Sequence, residues 1–303
     1  MSDLLVNTAS GPDIDREPLG DLSNPLGLDG IEFIEYTTGQ PQALGQVLEM
    51  MGFKPVARHR SREVLLYRQG DMNIVVNANP IDVKGATHGS EAPVLSAIAL
   101  RVRDAREARR RVLERGAWEV PPHAEVMELN IPAIHGAGGS RIYFVDRYRD
   151  FSIYDVDFSY IPSVQRHPPA TAGMHFFGVV QYIGPDRSYD WIEFYRELFG
   201  FELIADGQRF GILPRGKLMR SPCRGFMLQL IEPEPLVLDT SEKLQRIGFG
   251  VPDVIAAVAA LRQQGVEFNE TRAAHTEARG ALTRTWLGSV MFELVHSDSR
   301  AQP

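Results

Sequence analysis

The chain has 303 residues, of which 44% are hydrophobic and 23% charged, and its formal net charge is −7. This length suits two domains, and the composition is that of a folded globular protein rather than a disordered or fibrous one. The acidic balance argues against nucleic acid as a partner, because phosphate backbones repel a negatively charged protein. The single cysteine, Cys223, has no disulfide partner within the chain, so a reducing compartment, the cytoplasm, is expected.

The first 24 residues are rich in Asp, Gly, Pro and Ser and predict a flexible arm. They lack the basic start and the apolar run of a signal peptide. No stretch of the sequence reaches the roughly 18 apolar residues that a membrane-spanning helix needs. We therefore expect no membrane anchor and no membrane partner.

A unit made of a strand, an amphipathic helix, a glycine and further strands occurs four times along the chain. The apolar periodicity predicts helices over 41–51, 104–115, 187–199 and 252–264. Each helix is followed by a glycine that can adopt the left-handed conformation ending a helix, at Gly52, Gly116, Gly200 and Gly265. The first two glycines are 64 residues apart and the last two 65, so the chain reads as two halves of two modules each.

Each module predicts the order β-α-β-β-β, which is an α+β fold. Two such modules can curl their strands into a half-open barrel around a central cavity. A segment with three prolines and little periodicity separates the halves. We therefore place a flexible arm at 1–24, an N-terminal domain at 25–158, a linker at 159–172 and a C-terminal domain at 173–298.

Several segments of the N-terminal half strongly resemble the N-terminal domain of bacterial 4-hydroxyphenylpyruvate dioxygenases, among them ARHRSREVLLYRQGDMNIVVNANP, PAIHGAGGSRIYFVDRY and SIYDVDF. The C-terminal half is similar to the same family in WIEFYRELFGF, LMRSPCRGFMLQLIEP and VMFELV. The resemblance implies two vicinal-oxygen-chelate domains, of which the N-terminal one is structural and the C-terminal one holds the active site. In this family two histidines and a glutamate hold a non-haem Fe(II), which leaves positions open for the 2-oxo acid of the substrate and for O₂.

Carried onto this chain, the glutamate ligand of the family is Glu293 in MFELV, and the first histidine is His175 in GMHFFG. Some members place that histidine where this chain has Gly178. The second histidine falls on Arg246, and arginine has no lone pair to offer a metal. The resemblance therefore implies a weakened Fe(II) site formed by His175 and Glu293, with another divalent metal or none as alternatives.

The expected substrate contacts are Ser221, Gln229, Arg246 and Phe292. A guanidinium at position 246 can hold a carboxylate through two parallel hydrogen bonds. An asparagine that contacts substrate in the family is replaced by Ile231. We also expect this chain to lack the C-terminal helix that closes the site in the family. We therefore expect a pocket that is open to water.

Three functions remain open at this point. The first is Fe(II)-dependent oxygenation of an aromatic 2-oxo acid, of the type found in tyrosine catabolism. The second is another reaction on the same scaffold, by a lyase, an isomerase or a different dioxygenase, with Arg246 anchoring an aromatic carboxylate and Glu293 acting as catalytic base. The third is a non-catalytic ligand-binding protein in which Arg246 and Glu293 neutralise each other. The expected partner is a small aromatic acid in each case, and a homo-oligomer is compatible with the family.

Overall fold

The computed structural model describes residues 24–79, 82, 92–121, 129–205, 211, 216–233, 240–272 and 274–298. The predicted arm at 1–24 lies outside these ranges except for its last residue. The helices are α1 (Pro41–Met50), α2 (Ala105–Glu114), α3 (Ile153–Asp157), α4 (Ser188–Phe199) and α5 (Val254–Gln263). In the described part of the chain, no helix is both long and apolar enough to cross a bilayer.

The N-terminal half forms one eight-stranded sheet in the order β6-β7-β5-β1-β4-β3-β2-β8. Its strands are β1 (Ile31–Thr37), β2 (Lys54–His59), β3 (Val64–Gln69), β4 (Met72–Asn77), β5 (Val94–Arg101), β6 (Ala133–His135), β7 (Arg141–Val145) and β8 (Phe158–Tyr160). Since β8 includes Ser159, which pairs with Arg58, the first two residues of the predicted linker belong to this sheet.

The C-terminal half forms a seven-stranded sheet in the order β10-β11-β12-β9-β13-β15-β14. Its strands are β9 (His175–Tyr182), β10 (Glu202–Leu203), β11 (Lys217–Arg220), β12 (Met227–Ile231), β13 (Lys243–Val251), β14 (Gly280–Leu282) and β15 (Phe292–His296). The centre of this sheet repeats that of the first one. Strand β1 runs parallel to β4 and antiparallel to β5, and β9 runs parallel to β12 and antiparallel to β13. The predicted α+β fold with two modules in each half is confirmed.

The glycines that follow the four long helices confirm the predicted helix ends. Gly52, Gly116, Gly200 and Gly265 have φ values of 93°, 90°, 76° and 93°, in the region that glycine adopts without steric cost. The predicted helix bounds are correct to within two residues. The largest difference is at α5, which begins after Asp253 because this side chain accepts a hydrogen bond from the Ala256 amide and caps the helix.

The two sheets carry β-bulges at equivalent positions. Where the two central strands of each sheet pair, Ser96 is the extra residue on β5 and Gln245 is the extra residue on β13. On the opposing strands the extra residues are Glu32 in β1 and Phe177 in β9. A bulge places two residues opposite one and re-aims the side chains around it. The two halves therefore match residue by residue along their central strands.

The helix-covered faces of the two sheets share one hydrophobic core, to which both halves contribute. Ring pairs such as Phe53–Phe249, with centroids 5.8 Å apart, and Phe144–Phe199, at 6.3 Å, cross between the halves. Because side chains alternate between the faces of a strand, the opposite face of each sheet points away from this shared core. In each half, this opposite face is the concave inner side of the half-open barrel.

Candidate functional site

Three neighbouring strands of the C-terminal sheet place Glu293, Gly248 and Gly178 in one row. Gly248 on β13 pairs with Glu293 on one side and with Gly178 on the other. The adjacent row contains Arg246 and, two strands away on β12, Gln229. Residues two apart on a strand share a face, so Glu293, Arg246 and Gln229 all belong to the concave side.

Arg246 and Glu293 form a buried ion pair at the centre of this face. Arg246 is 1% exposed and Glu293 4%, and the guanidinium Nε donates to Glu293 Oε2 over 3.0 Å. The Nη1 group donates to Oε1 of the bulge residue Gln245 over 2.9 Å. Among the described residues, Nη2 has no hydrogen-bond partner although it is buried. Arg246 therefore keeps one buried guanidinium nitrogen without a hydrogen-bond acceptor among these residues.

The carboxylate of Glu293 borders a small cavity whose wall is mostly apolar. Gln229 lies beside it, and the other lining residues include Phe177, Val180, Leu218, Met227 and Val295. Gly211 approaches the carboxylate so closely that a Cβ at this residue would lie 2.2 Å from Glu293 Oε1. A side chain at position 211 would therefore displace the carboxylate.

His175 lies one row away from Glu293 and contacts other groups. It pairs with Gly250, which is two residues, or about 7 Å, along β13 from the glycine opposite Glu293. Its Nε2 is 3.1 Å from Ser297 Oγ, and its Nδ1 is 3.3 Å from the carbonyl oxygen of Gly173. Burial lowers the pKa of His175, and the Gly173 carbonyl opposes this shift only in part. His175 therefore interacts with Ser297 and Gly173 and not with Glu293 in this structure, and the expected pairing of His175 with Glu293 around a metal stays a prediction.

An iron site of the family's type does not fit this face. Gly178 is the residue of β9 in the row of Glu293, but a Cβ there would lie 2.2 Å from the carbonyl oxygen of Met227, so no side chain can extend from this position. The remaining ligand position is occupied by Arg246, which is cationic. Within the described ranges, no group of three or more His, Cys, Asp or Glu residues converges as metal ligands would.

Of the other expected substrate contacts, Gln229 lines the cavity, whereas Ser221 and Phe292 have different positions. Ser221 accepts a hydrogen bond from the amide of Phe226 over 3.2 Å and thereby shapes the turn between β11 and β12. Phe292 is fully buried in the shared core, with its ring centroid 5.4 Å from that of Phe249. The expectation that Phe292 contacts substrate is corrected, because it neighbours Glu293 on one strand and points to the opposite face.

The concave face of the N-terminal half carries a second polar cluster that the sequence analysis did not identify. Its members are Glu35, Asn77, Asp82, Arg141 and Tyr143. The available signal was the presence of charged residues inside strands that are otherwise apolar. Since these residues come from distant parts of the chain, their convergence was not visible in the sequence.

Comparisons with known proteins agree with this architecture. Residues 22–159 match the family model described as Hydroxyphenylpyruvate dioxygenase, HPPD, N-terminal. Residues 186–283 match that of the Glyoxalase/Bleomycin resistance protein/Dioxygenase superfamily. Among solved structures, the chain is similar to a xylose isomerase-like TIM barrel/4-hydroxyphenylpyruvate dioxygenase fusion protein, with a TM-score of 0.73 and 25% identity, covering 89% of this chain and 49% of that one.

Two curated relatives cover most of the chain. A 4-hydroxyphenylpyruvate dioxygenase of Pseudomonas aeruginosa is 35% identical over 268 residues, which are 82% of this chain and 73% of the relative. Hemolysin VllY of Vibrio vulnificus is also 35% identical over 268 residues, covering 83% of this chain and 74% of the relative. Since relatives of equal similarity have different names, the comparisons establish the family more firmly than the activity. The chain belongs to the 4-hydroxyphenylpyruvate dioxygenase family and is by this kinship a dioxygenase-like oxidoreductase.

Proposed function

We propose that the C-terminal barrel binds an aromatic 2-oxo acid through Arg246, and that it does so without a metal ion. The observation that carries the proposal is the buried Nη2 of Arg246, which has no hydrogen-bond partner among the described residues. A buried polar group without a partner costs free energy, and a guanidinium donor is satisfied best by a carboxylate oxygen. The ligand's carboxylate would supply that oxygen.

The hydrogen bonds of Arg246 leave room for an anionic ligand that binds the same guanidinium as Glu293. Arginine has five N–H donors in a planar fork, and two of its three nitrogens already donate to Glu293 and Gln245. The ion pair with Glu293 fixes the orientation of the guanidinium, so the third nitrogen is held in place before a ligand arrives. Such pre-organisation lowers the entropic cost of binding.

The cavity beside Glu293 has a volume of about 30 Å³ and Arg246 is not among its lining residues, so an aromatic ligand requires the cavity to widen toward the guanidinium. Its apolar wall then suits the aromatic body of the ligand. Val180 and Gln229 lie in the row of Arg246, and Met227 lies in the row of Glu293. The ring would pack on the aliphatic side chains, while Gln229 offers an amide to a polar substituent or to the oxo group. This is the usual composition of a small-molecule site, with apolar walls and a few polar groups that set the orientation.

Fe(II)-dependent oxygenation of the aromatic 2-oxo acid is the second candidate. Family membership and the position of Glu293 favour it. It requires ligand atoms close to Glu293, and the nearest expected histidine, His175, is hydrogen-bonded elsewhere. When bound, the iron would supply O₂ activation. Among the described residues of this site, only Glu293 is positioned as a ligand for the iron.

The test is calorimetric titration of the full chain, treated with a chelator, with 4-hydroxyphenylpyruvate and with 4-hydroxyphenylacetone, a ketone of similar body without the carboxylate. We expect the acid to bind without metal and the ketone to bind at least about tenfold more weakly. Stoichiometric iron in freshly purified protein, together with O₂ uptake on adding the acid, would instead favour the second candidate.

A double variant tests the role of Arg246 without leaving a buried charge unpaired. Arg246→Met/Glu293→Leu replaces the ion pair by apolar side chains, a change that folded proteins often tolerate. We expect this variant to fold and to lose binding of the acid. The matched control is Arg284→Met, which breaks the exposed ion pair with Glu267 in the same half and should leave binding unchanged. Unaltered affinity in the double variant would refute the assignment.

A further inference from the structure

A cavity of about 180 Å³ opens on the concave face of the N-terminal barrel. It lies where the C-terminal half has its own site. Phe33, Ala99 and Tyr143 form a row across the N-terminal sheet, and by strand order and bulge position this row corresponds to Gly178, Gly248 and Glu293. The cavity therefore occupies the second of the two equivalent barrel interiors.

One cation and two carboxylates stand next to each other in this cavity. The Nη2 group of Arg141 is 3.6 Å from Asp82 Oδ1. The amide of Asn77 donates to Asp82 Oδ2 over 3.2 Å and to Glu35 Oε1 over 3.3 Å, which links the two carboxylates. Glu35 is 6% exposed and also accepts a hydrogen bond from the hydroxyl of Ser96 over 3.0 Å. Charges brought this far out of water are costly unless they have partners.

The hydroxyl of Tyr143 adds a donor to the same space. The Tyr143 oxygen accepts a hydrogen bond from Arg141 Nη1 over 3.0 Å, so its own proton is left to donate. Burial raises the pKa of Tyr143 to about 12, with a smaller contribution from the negative charge of Glu35, so the hydroxyl stays protonated.

The lining also includes His59, Arg62 and Asp157. Asp157 accepts a hydrogen bond from the Leu129 amide over 3.1 Å, and His59 Nδ1 accepts one from the Arg62 amide over 3.2 Å. Most of the remaining wall is apolar and aromatic. The rings of Phe33 and Tyr143 have centroids 5.8 Å apart. The aliphatic and aromatic side chains of Val75, Ile153 and Phe158 complete the lining used here. A ligand that fills the cavity must therefore combine charged groups at one end with an apolar body at the other.

We infer that this cavity binds a free α-amino acid with an apolar or aromatic side chain. The carboxylate of the ligand lies against Arg141 and the Tyr143 hydroxyl, its ammonium group against Asp82 and Glu35, and its side chain against the apolar wall. A simple acid would meet Arg141 but be repelled by two carboxylates. A simple amine would meet the carboxylates but be repelled by Arg141. Only a zwitterion satisfies both signs at the separation found here, and this site is independent of the acid site proposed at Arg246.

The experiment compares three ligands by calorimetric titration of the full chain. L-phenylalanine has both charged groups, 3-phenylpropanoate lacks the ammonium group, and 2-phenylethylamine lacks the carboxylate. We expect L-phenylalanine to bind at least about tenfold more tightly than either analogue. Equal or tighter binding of one analogue would overturn the zwitterion site, and so would the absence of saturable L-phenylalanine binding at millimolar concentration.

Variants locate the binding to this cavity. Asp82→Asn is the primary change, because the side chain is partly exposed and its loss should leave the fold intact. We expect it to weaken L-phenylalanine binding about tenfold without weakening the binding of 3-phenylpropanoate. Arg149→Gln, at a side chain that is 79% exposed, is the matched control and should leave L-phenylalanine binding unchanged. The Arg246→Met/Glu293→Leu variant should also retain it, whereas loss in that variant, or full affinity in Asp82→Asn, would contradict the assignment.

Discussion

The two halves of the molecule share one sheet topology but differ in the residues of their concave faces. The N-terminal row contains Phe33 and Tyr143, whose ring centroids lie 5.8 Å apart and which line the cavity of this half. The equivalent C-terminal row contains Gly178 and Glu293. In the adjacent row, each half has one charged residue, but the two charges have opposite signs and lie on different strands. The N-terminal half has Glu35 on its first strand opposite an alanine, and the C-terminal half has Arg246 on its second strand opposite a valine.

The scaffold thus fixes where chemistry can occur, and the inner side chains decide which chemistry it is. In both halves a buried charged side chain has a hydrogen-bond partner at a β-bulge. Ser96 donates to Glu35 in one half, and Gln245 accepts from Arg246 in the other, and each of these two partners is the extra residue of a bulge. A barrel interior of this fold can therefore hold a charge without a metal.

The largest expected effect follows from removing the cation of the C-terminal half. Arg246→Met leaves Glu293 buried and uncompensated, so we expect a loss of about 3–5 kcal/mol in the free energy of unfolding. The double variant Arg246→Met/Glu293→Leu should recover most of this loss, because no buried charge remains. Chemical denaturation of both variants measures the difference. A single variant as stable as the original chain would show that the pair is not buried in solution.

Two glycines of the C-terminal row, Gly178 and Gly248, test the close approach between β9 and β12. Gly178→Ala places a Cβ against the Met227 carbonyl, and we expect this overpacking to cost about 1–3 kcal/mol. Gly248→Ala is the control in the same row, because the nearest atom to its Cβ is 3.6 Å away, at ordinary contact distance. Equal stability of the two variants, measured by denaturation, would mean that β9 can shift and admit a side chain at position 178.

In the N-terminal row, Tyr143→Phe removes a single hydroxyl. This hydroxyl accepts a hydrogen bond from Arg141, and we expect its loss to lower the free energy of unfolding by about 0.5–1.5 kcal/mol. The same variant should also weaken L-phenylalanine binding, since it removes one donor to the carboxylate. If both stability and binding are unchanged, Tyr143 serves only as an aromatic packing residue.

The smallest expected effect concerns His175 and pH. Because burial lowers its pKa below the value of about 6.5 in the unfolded chain, the unfolded state binds its proton more readily. The stability contributed by neutral His175 is therefore present above pH ~6.5 and is lost as the pH falls below it. His175→Gln should make the stability depend less steeply on pH between neutrality and pH 5, as measured by denaturation at each pH. The contrary result is an unchanged slope.

The repeated modules, the helix positions and the glycines at the helix ends could be predicted from the sequence because they rest on local patterns. The ion pair of Arg246 with Glu293 was one of the arrangements that the sequence left open, and the structure contains it. The position of His175 could not be read in the same way, because the bulge at Phe177 changes the register by one residue. The N-terminal cluster was missed for a related reason, since Asp82 and Arg141 meet only after the strands are assembled.

The shared core determines how ligand binding changes the thermal stability of the molecule. Since the helix-covered faces of both halves belong to one hydrophobic cluster, neither sheet can lose its packing without exposing the other. The two halves should therefore melt in a single cooperative transition, and a ligand bound in either barrel raises its midpoint through linkage. Each concave face thus gains thermal stability from occupancy of the other, although no ligand contacts both.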